Sequence, residues 1–291
     1  MELGKVGIWS GEFRSKKAGD AGETAAELEG LGFGALWIPG GAGGDIFGVV
    51  ARVLDGTRTL PVATGILNVW MHDATEVAAE HARISAAHPD RFLLGLGVSH
   101  AMSVEATGRP YERPRSVMVH YLDELDAAKT PVGKEERALA ALGPKMLELA
   151  RDRSAGAHPY LTTPEHTRWA RTVLGEGPLL APEQMVVLES DPTAARAVAR
   201  TMLALYLQLP NYTNNMLRFG FTEVDLADGG SDRLIDGHIA WGGIEAIAGR
   251  VREHLDAGAD HVCIQVLTGS RDRYPLAEWR ELAAILPELQ T

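Results

Sequence analysis

The chain has 291 residues, of which 45% are hydrophobic and 23% charged, and its formal net charge is −11 at pH 7. These values are typical of a soluble globular protein and exclude a disordered chain, a collagen and a disulfide-rich scaffold. The acidic balance makes nucleic acid and anionic membrane surfaces unexpected partners, because like charges repel. The length allows one large α/β barrel, so we expect a single domain over residues 1–291.

Cysteine content and apolar runs indicate where the protein works. Cys263 is the one cysteine of the sequence, which excludes an intramolecular disulfide and a cysteine-based metal cluster. The first residues contain no long apolar segment of the kind found in signal peptides, and no apolar run reaches the roughly 18 residues of a membrane helix. We therefore expect a cytoplasmic protein without a membrane anchor.

Short apolar runs of strand length alternate with longer amphipathic runs along the whole chain. Eight of the short runs are predicted strands, and each is followed by a helix or by a segment that contains one. In chain order the strands are Val6–Trp9, Ala35–Ile38, Leu60–Leu67, Phe92–Val98, Ala138–Leu142, Ala157–Tyr160, Met185–Leu188 and His261–Val266. Eight βα units predict a (β/α)₈ TIM barrel, an α/β fold with a parallel sheet.

Capping residues indicate where two of the helices begin and end. Gly32 suits the end of a helix over Glu23–Leu31, and Asp73 suits the beginning of a helix that runs to about Ala86. The remaining helices are predicted near Val49–Leu54, Val117–Ala128, Lys145–Arg151, Glu165–Leu174, Thr193–Leu209, Ile244–Ala257 and Leu276–Ile285.

The segment from Pro210 to Gly243 interrupts this alternation. It is rich in Asn, Gly and Asp, and it separates the seventh unit from the last one. A long connection in a compact domain is typical of a functional loop, so we predict a lid or insert before the last βα unit that influences substrate choice.

Ligands of such barrels bind at the carboxyl ends of the strands, so the residues there are the candidates for chemistry. His72, His100 and His158 each follow a predicted strand and could donate a proton or bind the polar edge of a cofactor; the alternative for each is a surface or capping role. A histidine metal site is disfavoured, because neither H-x-H nor H-E-x-x-H spacing occurs, and we expect no metal.

A glycine turn and several aromatic residues add to these candidates. Gly143-Pro144-Lys145 opens a predicted helix and could bind an anion, although an ordinary strand-to-helix turn has the same sequence pattern. Four aromatic residues lie near strand ends and could form the wall of a flat conjugated ligand, or fill the barrel core: Trp9, Trp37, Trp70 and Tyr160.

Several familiar motifs are missing. Gly95-x-Gly97 is not a dinucleotide fingerprint, because His100 occupies the third glycine position. Walker and G-x-S-x-G motifs do not occur, and Cys263 lies inside a predicted strand, where a small buried hydrophobic role is expected rather than a nucleophile.

Five segments together resemble the luciferase-like flavin and deazaflavin oxidoreductases. His88–Gly97 is similar to their RF-x-LG-x-G signature, Thr64–Ile66 to their third-strand segment, and Ala141–Met146 to their fifth βα junction. Tyr212–Phe221 and Gly258–Val266 resemble late motifs of a subfamily that uses coenzyme F420. The resemblance runs nearly end to end.

This resemblance implies a (β/α)₈ barrel, often a homodimer, with a flavin-type ring against the strand ends. It implies a non-proline cis peptide and a bulge after the third strand, which by position would be Leu67-Asn68, and it places Ser99, His100 and Ser103 near the ring edge. Of these, we expect His100 to be the proton donor. The cofactor-binding residues implied are Gly65, Leu67, Asn68, Gly97, Ser99, Ser103, Gly143, Pro144, Lys145, Met146, His158 and Tyr160. Of these, the fifth-junction residues would bind the phosphate side.

The sequence also departs from one branch of the family. Its sugar-phosphate dehydrogenases carry His and Trp after the second strand and Glu after the fourth, where this chain has Pro39–Gly44 and Ser99-His100. A sugar phosphate is therefore not implied.

The expected function is hydride transfer between coenzyme F420 and a small organic substrate. The alternatives are an FMN-dependent monooxygenase on the same barrel, a non-redox barrel enzyme for a phosphate ligand, and a non-catalytic cofactor-binding protein.

Overall fold

The structure is a computed structural model that describes residues 1–15, 19–41, 44–269 and 273–289. One parallel sheet organises this part of the chain, in the order β7-β6-β5-β4-β3-β2-β1-β10-β8-β9. Its strands are β1 Val6–Trp9, β2 Leu36–Gly40, β3 Val62–Asn68, β4 Phe92–Gly97, β5 Arg137–Leu139, β6 Gly156–Ala157, β7 Leu179–Leu180, β8 Glu183–Val187, β9 Ile239–Trp241 and β10 Val262–Val266.

The segment Leu179–Val187 closes the sheet into a barrel. On one side, its backbone bonds to the β6 region, where the N–H of Ala181 donates to the carbonyl of Ala157 over 2.9 Å. On the other side, the N–H of Cys263 in β10 donates to the carbonyl of Pro182 over 3.0 Å. Thus β7 and β8 act as one barrel strand interrupted between them, and the predicted eight-stranded barrel is confirmed, with β9 as an added strand.

Fourteen α-helices accompany the strands in the described residues. They are α1 Ala21–Leu31, α2 Ile46–Gly56, α3 Ala74–Ala87, α4 Ala101–Glu105, α5 Pro114–Ala127, α6 Pro144–Arg153, α7 Pro164–Leu174, α8 Pro192–Tyr206, α9 Pro210–Arg218, α10 Glu223–Leu226, α11 Asp232–His238, α12 Ile244–Asp256, α13 Leu276–Leu282 and α14 Leu286–Leu289. Both predicted caps are confirmed: the Asp73 carboxylate accepts from the first turn of α3, and Gly32 follows α1 with φ 91°.

The predicted strand bounds differ from the observed ones mainly in the fifth and sixth strands. Both are shorter than expected, so Leu142 and Tyr160 lie in the loops after β5 and β6. The two-residue β7 and the strand β9 are missing from the sequence prediction, because neither has enough alternating residues to show a period of two.

The segment Pro210–Gly243 is not the irregular lid that its composition suggests. It folds into α9, α10, α11 and β9. Several of its polar residues cap these short helices: the Thr222 hydroxyl accepts from the N–H of Asp225, and the Ser231 hydroxyl accepts from the N–H of Leu234. Capping therefore accounts for part of the polar composition that indicates a loop.

Two hydrophobic layers hold the barrel. One lies between the strands and the helices that surround them, and it contains Ile8, Leu36 and Val262. A second cluster contains Trp9, Trp37 and Cys263, to which the strands contribute on their other face. Because neighbouring residues of a strand point to opposite faces, this second cluster fills the barrel interior. Cys263 is a buried free thiol, as expected from its position in a strand.

Within the described ranges, no helix has the length and apolar character needed to cross a bilayer.

Candidate active site

A cavity of about 1090 Å³ opens at the carboxyl ends of the barrel strands. Residues at the ends of β1, β2, β4, β5, β6 and β10 or in the loops after them contribute to its walls, together with two residues inside β3, and α8 and α9 complete them. The cavity brings together eight residues singled out from the sequence: Gly65, Ser99, His100, Ser103, Gly143, Met146, His158 and Tyr160.

Five other predicted site residues do not line this cavity: Leu67, Asn68, Gly97, Pro144 and Lys145. The Leu67 side chain packs in the layer between the strands and the helices, and Pro144 and Lys145 are exposed at the beginning of α6. Asn68 is fully buried, and its Oδ1 accepts a hydrogen bond from the N–H of Trp70 over 3.0 Å. The structure therefore does not bring these five to the cavity wall, and their role in cofactor binding stays a prediction.

An irregularity in β3 explains why Leu67 faces away from the cavity. The pairing of β3 with β4 shifts register between Ala63 and Leu67, and its pairing with β2 shifts between Ile38 and Gly40. Such a shift changes the face to which the following residues point. The expected bulge is therefore present, but the cis peptide expected at Leu67-Asn68 is wrong, since every peptide bond between described residues is trans.

Glycines in β3 and β4 leave room for neighbouring side chains, and of the two Gly65 lines the cavity. A Cβ atom on Gly65 would lie 2.4 Å from Nε1 of Trp9, and one on Gly97 would lie 2.4 Å from Cδ1 of Ile66. The indole N–H of Trp9 is buried and has no hydrogen-bond partner among the described residues. The cavity floor at Gly65 thus offers both a close backbone approach and an unused donor.

Tyrosine hydroxyls form one wall of the cavity. The hydroxyl of Tyr160 donates to Oε1 of Gln265 over 2.8 Å and lies 3.0 Å from the hydroxyl of Tyr206. The Tyr160 ring also packs against Trp9, with 5.2 Å between centroids. Burial raises the pKa of Tyr160 well above its ordinary value, so the phenol keeps its proton. Sequence reasoning missed Tyr206 and Gln265, although a polar residue in the otherwise apolar β10 was a usable signal.

His100 stands on a strained turn after β4. Ser99 has φ 57°, and its carbonyl accepts from the hydroxyl of Tyr111 over 3.2 Å. Nδ1 of His100 lies 3.2 Å from Oδ1 of Asn211, and its ring is 5.4 Å from that of Tyr212. Burial lowers the pKa of His100, and the bond to Asn211 partly opposes this. The imidazole is therefore neutral at pH 7.

His158 lies deeper than His100. Its ring stacks on Trp37 at 4.3 Å, and its Nδ1–H donates to the carbonyl of Ala181 over 2.7 Å. Burial lowers the pKa of His158 to about 4, and its Nε2 has no hydrogen-bond partner in the described part of the chain. His158 thus presents an uncharged acceptor nitrogen. Of the four aromatic residues, Trp37 fills the core, whereas Trp9 and Tyr160 line the cavity.

The Gly143 turn also lines the cavity. Nε2 of His166 donates to the carbonyl of Leu142 over 3.0 Å, which fixes the turn that begins α6. A Cβ atom on Gly143 would lie 3.8 Å from Nη1 of Arg218, whose guanidinium covers the ring of Trp169 at 5.7 Å. The guanidinium of Arg218, at the end of α9, therefore lies beside the Gly143 turn, although neither Arg218 nor Lys145 lines the cavity.

No group of three or more His, Cys, Asp or Glu side chains in the described ranges is arranged to hold a metal ion.

Comparison with known proteins shows what this chain is similar to. Residues 5–136 match the model of the luciferase-like monooxygenase family. The resemblance to the luciferase-like superfamily is confirmed. No curated protein sequence matches this chain.

Solved structures with this fold include enzymes with two different cofactors. An F420-dependent secondary alcohol dehydrogenase in complex with an F420-acetone adduct has a TM-score of 0.77 and 14% identity, with 98% of this chain and 99% of that chain covered. The coenzyme F420-dependent tetrahydromethanopterin reductase from Methanopyrus kandleri has a TM-score of 0.69 and 16% identity, with 99% and 98% covered.

A structure with this fold that contains FMN is the oxygenating constituent of 3,6-diketocamphane monooxygenase from Pseudomonas putida. Its TM-score is 0.70 and its identity 12%, with 99% of this chain and 98% of that chain covered. At such identities the similarity establishes the fold of this chain and no more.

Proposed function

We propose that this protein is an oxidoreductase that transfers a hydride between coenzyme F420 and a small organic substrate in the cavity. The observation that carries the proposal is one cavity lined by both a neutral histidine, His100, and the glycine turn at Gly143. The guanidinium of Arg218 lies beside this turn, outside the cavity lining. Hydride transfer to a planar cofactor needs a flat surface, a phosphate anchor and a group that manages the proton.

The residues present fit a deazaflavin. The floor at Gly65 excludes a Cβ atom, and the unused indole N–H of Trp9 lies beneath it. We infer that the ring is held over this floor and that the Gly143 turn and Arg218 hold the phosphate, because backbone N–H groups and a guanidinium both favour an anion. When bound, the cofactor accepts or delivers the hydride.

His100 manages the substrate proton in this proposal. A neutral imidazole takes up the proton of a hydroxyl group as it becomes a carbonyl, and the protonated ring returns it in the reverse direction. The hydroxyls of Tyr160 and Tyr206 line the same cavity and bind polar groups of the substrate. The proposal includes a cytoplasmic homodimer, and light scattering of the purified protein tests the oligomeric state.

An FMN-dependent monooxygenase is the second candidate. Residues 5–136 match the luciferase-like monooxygenase family, and an FMN-bound monooxygenase structure shares the fold. Titration of the purified protein with F420 and with FMN, followed by fluorescence, separates the two. Tight FMN binding without a response to F420 reverses the order of the candidates. No response to either cofactor favours a non-redox barrel enzyme for a phosphate ligand.

Two variants make the titration specific. Arg218→Met removes the guanidinium beside Gly143 and is expected to weaken F420 binding about tenfold, the loss of one charge-assisted hydrogen bond. Arg83→Met is the matched control, because Arg83 is exposed on α3 in an ion pair with Glu80. Equal affinity of both variants for F420 contradicts the proposed phosphate anchor. A protein that binds F420 but turns over no substrate, with or without His100→Ala, is a non-catalytic binding protein.

A further inference from the structure

Asn211 connects the segment 210–243 to His100. It lies in the first turn of α9, and its Oδ1 is 3.2 Å from Nδ1 of His100. The next residue, Tyr212, is buried and packs against Tyr206 at 5.0 Å and Tyr160 at 6.3 Å. The beginning of α9 is therefore fixed against the wall of the cavity, and Asn211 has a defined position.

The hydrogen bond determines which imidazole nitrogen carries the proton. An amide oxygen only accepts hydrogen bonds, so Nδ1 of His100 is the donor. A neutral imidazole has one N–H, and Nε2 is then left with a lone pair. Nε2 has no hydrogen-bond partner in residues 1–15, 19–41, 44–269 or 273–289, and His100 lines the cavity. The acceptor nitrogen is therefore available to a ligand.

The surroundings of His100 contribute no charge to this choice. The titratable group packed against its ring is Tyr212, and burial raises the pKa of that phenol well above its ordinary value. The effects on the pKa of His100 are burial, which lowers it, and the hydrogen bond to Asn211, which raises it. Ser99 and Ser103 lie on the same side of the cavity and are neutral.

We propose that Asn211 is a positioning residue that fixes the tautomer of His100, so that Nε2 accepts a proton from the substrate. This inference rests on the proposed function and names its substrate class, an alcohol. The substrate O–H gives its proton to Nε2, the carbinol C–H gives its hydride to oxidised F420, and the carbon–oxygen bond becomes a carbonyl. The cofactor takes up the hydride and His100 takes up the proton, so the oxidation needs no further reactant.

The tautomer is measured by NMR on cofactor-free protein with ¹⁵N-labelled histidine, where two-bond proton–nitrogen correlations distinguish Nδ1–H from Nε2–H. The His100→Gln spectrum assigns the signal. We expect Nδ1–H in the wild type and in Asn211→Asp, and a mixture of tautomers in Asn211→Ala. Asn214→Ala is the matched control, because Asn214 is exposed on the same helix. An Nε2–H signal in the wild type, or an unchanged signal in Asn211→Ala, overturns the inference.

Activity adds a second readout, and a shift of its pH profile is one that loss of folding does not imitate. With F420 and a panel of primary and secondary alcohols, Asn211→Ala is expected to lower kcat/KM about 10- to 100-fold, as is usual for partners that orient a catalytic group. Asn211→Asp keeps the acceptor and raises the acidic limb of the pH profile by about one pH unit. An identical pH profile in Asn211→Asp and the wild type contradicts the assignment.

The two proposals fail separately. The NMR experiment uses no cofactor, so it decides the role of Asn211 whether or not F420 binds. A protein with the expected tautomer that shows no response to F420 contradicts the proposed function and the alcohol substrate, while the hydrogen bond between Asn211 and His100 stands. A protein that binds F420 with the opposite tautomer contradicts the role of Asn211 alone.

Discussion

The carboxyl group of Glu183 meets the backbone of Leu161 in the barrel, where Oε2 accepts from the N–H of Leu161 over 3.1 Å. Its second oxygen, Oε1, is buried and unpartnered within the described residues. Burial raises the pKa of Glu183 to about 8, although the bond from Leu161 lowers it. Glu183 is therefore a protonated acid at neutral pH.

Glu183→Gln is expected to stabilise the protein in mild alkali. The ordinary pKa of a glutamate carboxyl is 4.5, whereas burial raises the pKa of Glu183 to about 8 in the folded protein. This contribution to stability is full below about pH 4.5 and is lost as the pH rises towards 8. Glutamine cannot ionise, so the free energy of unfolding of the variant exceeds that of the wild type by on the order of 2–4 kcal/mol at pH 8.5. Urea denaturation of both proteins at pH 5 and at pH 8.5 measures this stability difference. If the difference between the variant and the wild type is no larger at pH 8.5 than at pH 5, the prediction is wrong.

Gly65→Ala is expected to damage the cavity floor. Its Cβ atom would be 2.4 Å from Nε1 of Trp9, which leaves no room without movement of the indole. We expect F420 affinity to fall more than tenfold and stability to fall by about 1–3 kcal/mol, as for overpacking. Gly249→Ala is the control, because a Cβ atom there meets nothing within 4 Å and Gly249 lies inside α12. Equal F420 affinity in the two variants would show that the ring is not held at Gly65.

Buried histidines are expected to make the protein sensitive to acid. Burial lowers the pKa of five of them. The pKa of His254 falls to about 3, and that of the other four to about 4: His158, His166, His238 and His261. The unfolded chain takes up protons below about pH 6.5 and the folded chain does not, so stability present above pH 6.5 is lost as the pH falls towards 4. Glu183 changes the stability in the opposite direction over this pH range, but it is one group and the buried histidines are five.

Thermal unfolding between pH 7 and pH 4.5 checks this acid sensitivity. The melting temperature should fall continuously through this range, and His120→Gln should follow the same curve, because the His120 side chain is 77% exposed. A flat curve down to pH 4.5 would mean that the histidines are not held neutral by burial.

Tyr160→Phe is expected to leave the oxygen of Gln265 without its donor. The Tyr160 hydroxyl lies 2.8 Å from that oxygen and 3.0 Å from the Tyr206 hydroxyl. The variant therefore removes the hydroxyl that links Tyr206 to Gln265 by hydrogen bonds. A buried acceptor that loses its partner costs about 1–3 kcal/mol. Denaturant titration measures the loss, with Tyr111→Phe as a partly buried comparison. A stability equal to that of the wild type would show that Gln265 finds another donor.

The sequence was sufficient for the fold and for much of the cavity. Eight apolar runs predict the barrel, and the rule that ligands bind at strand ends brings Gly65, His100 and Gly143 to one cavity. Local pattern fails where pairing between strands decides the outcome. The register shift in β3 depends on β2 and β4, so the orientation of Leu67 is not visible in its own segment.

The missing site residues come from helices that have no motif of their own. Tyr206 ends α8, and Asn211 and Arg218 stand at the two ends of α9. Their approach to His100 and Gly143 depends on how α9 packs against the barrel, which one sequence does not determine. Site residues of this kind are identified from the three-dimensional structure and not from a single sequence.

A crystal structure of the protein with bound F420 tests the central claim most directly. We expect the deazaflavin ring over Gly65, its phosphate against the Gly143 turn and Arg218, and Nε2 of His100 facing the substrate side of the ring. A ligand bound elsewhere, or a phosphate at the opposite end of the cavity from Gly143, would contradict it.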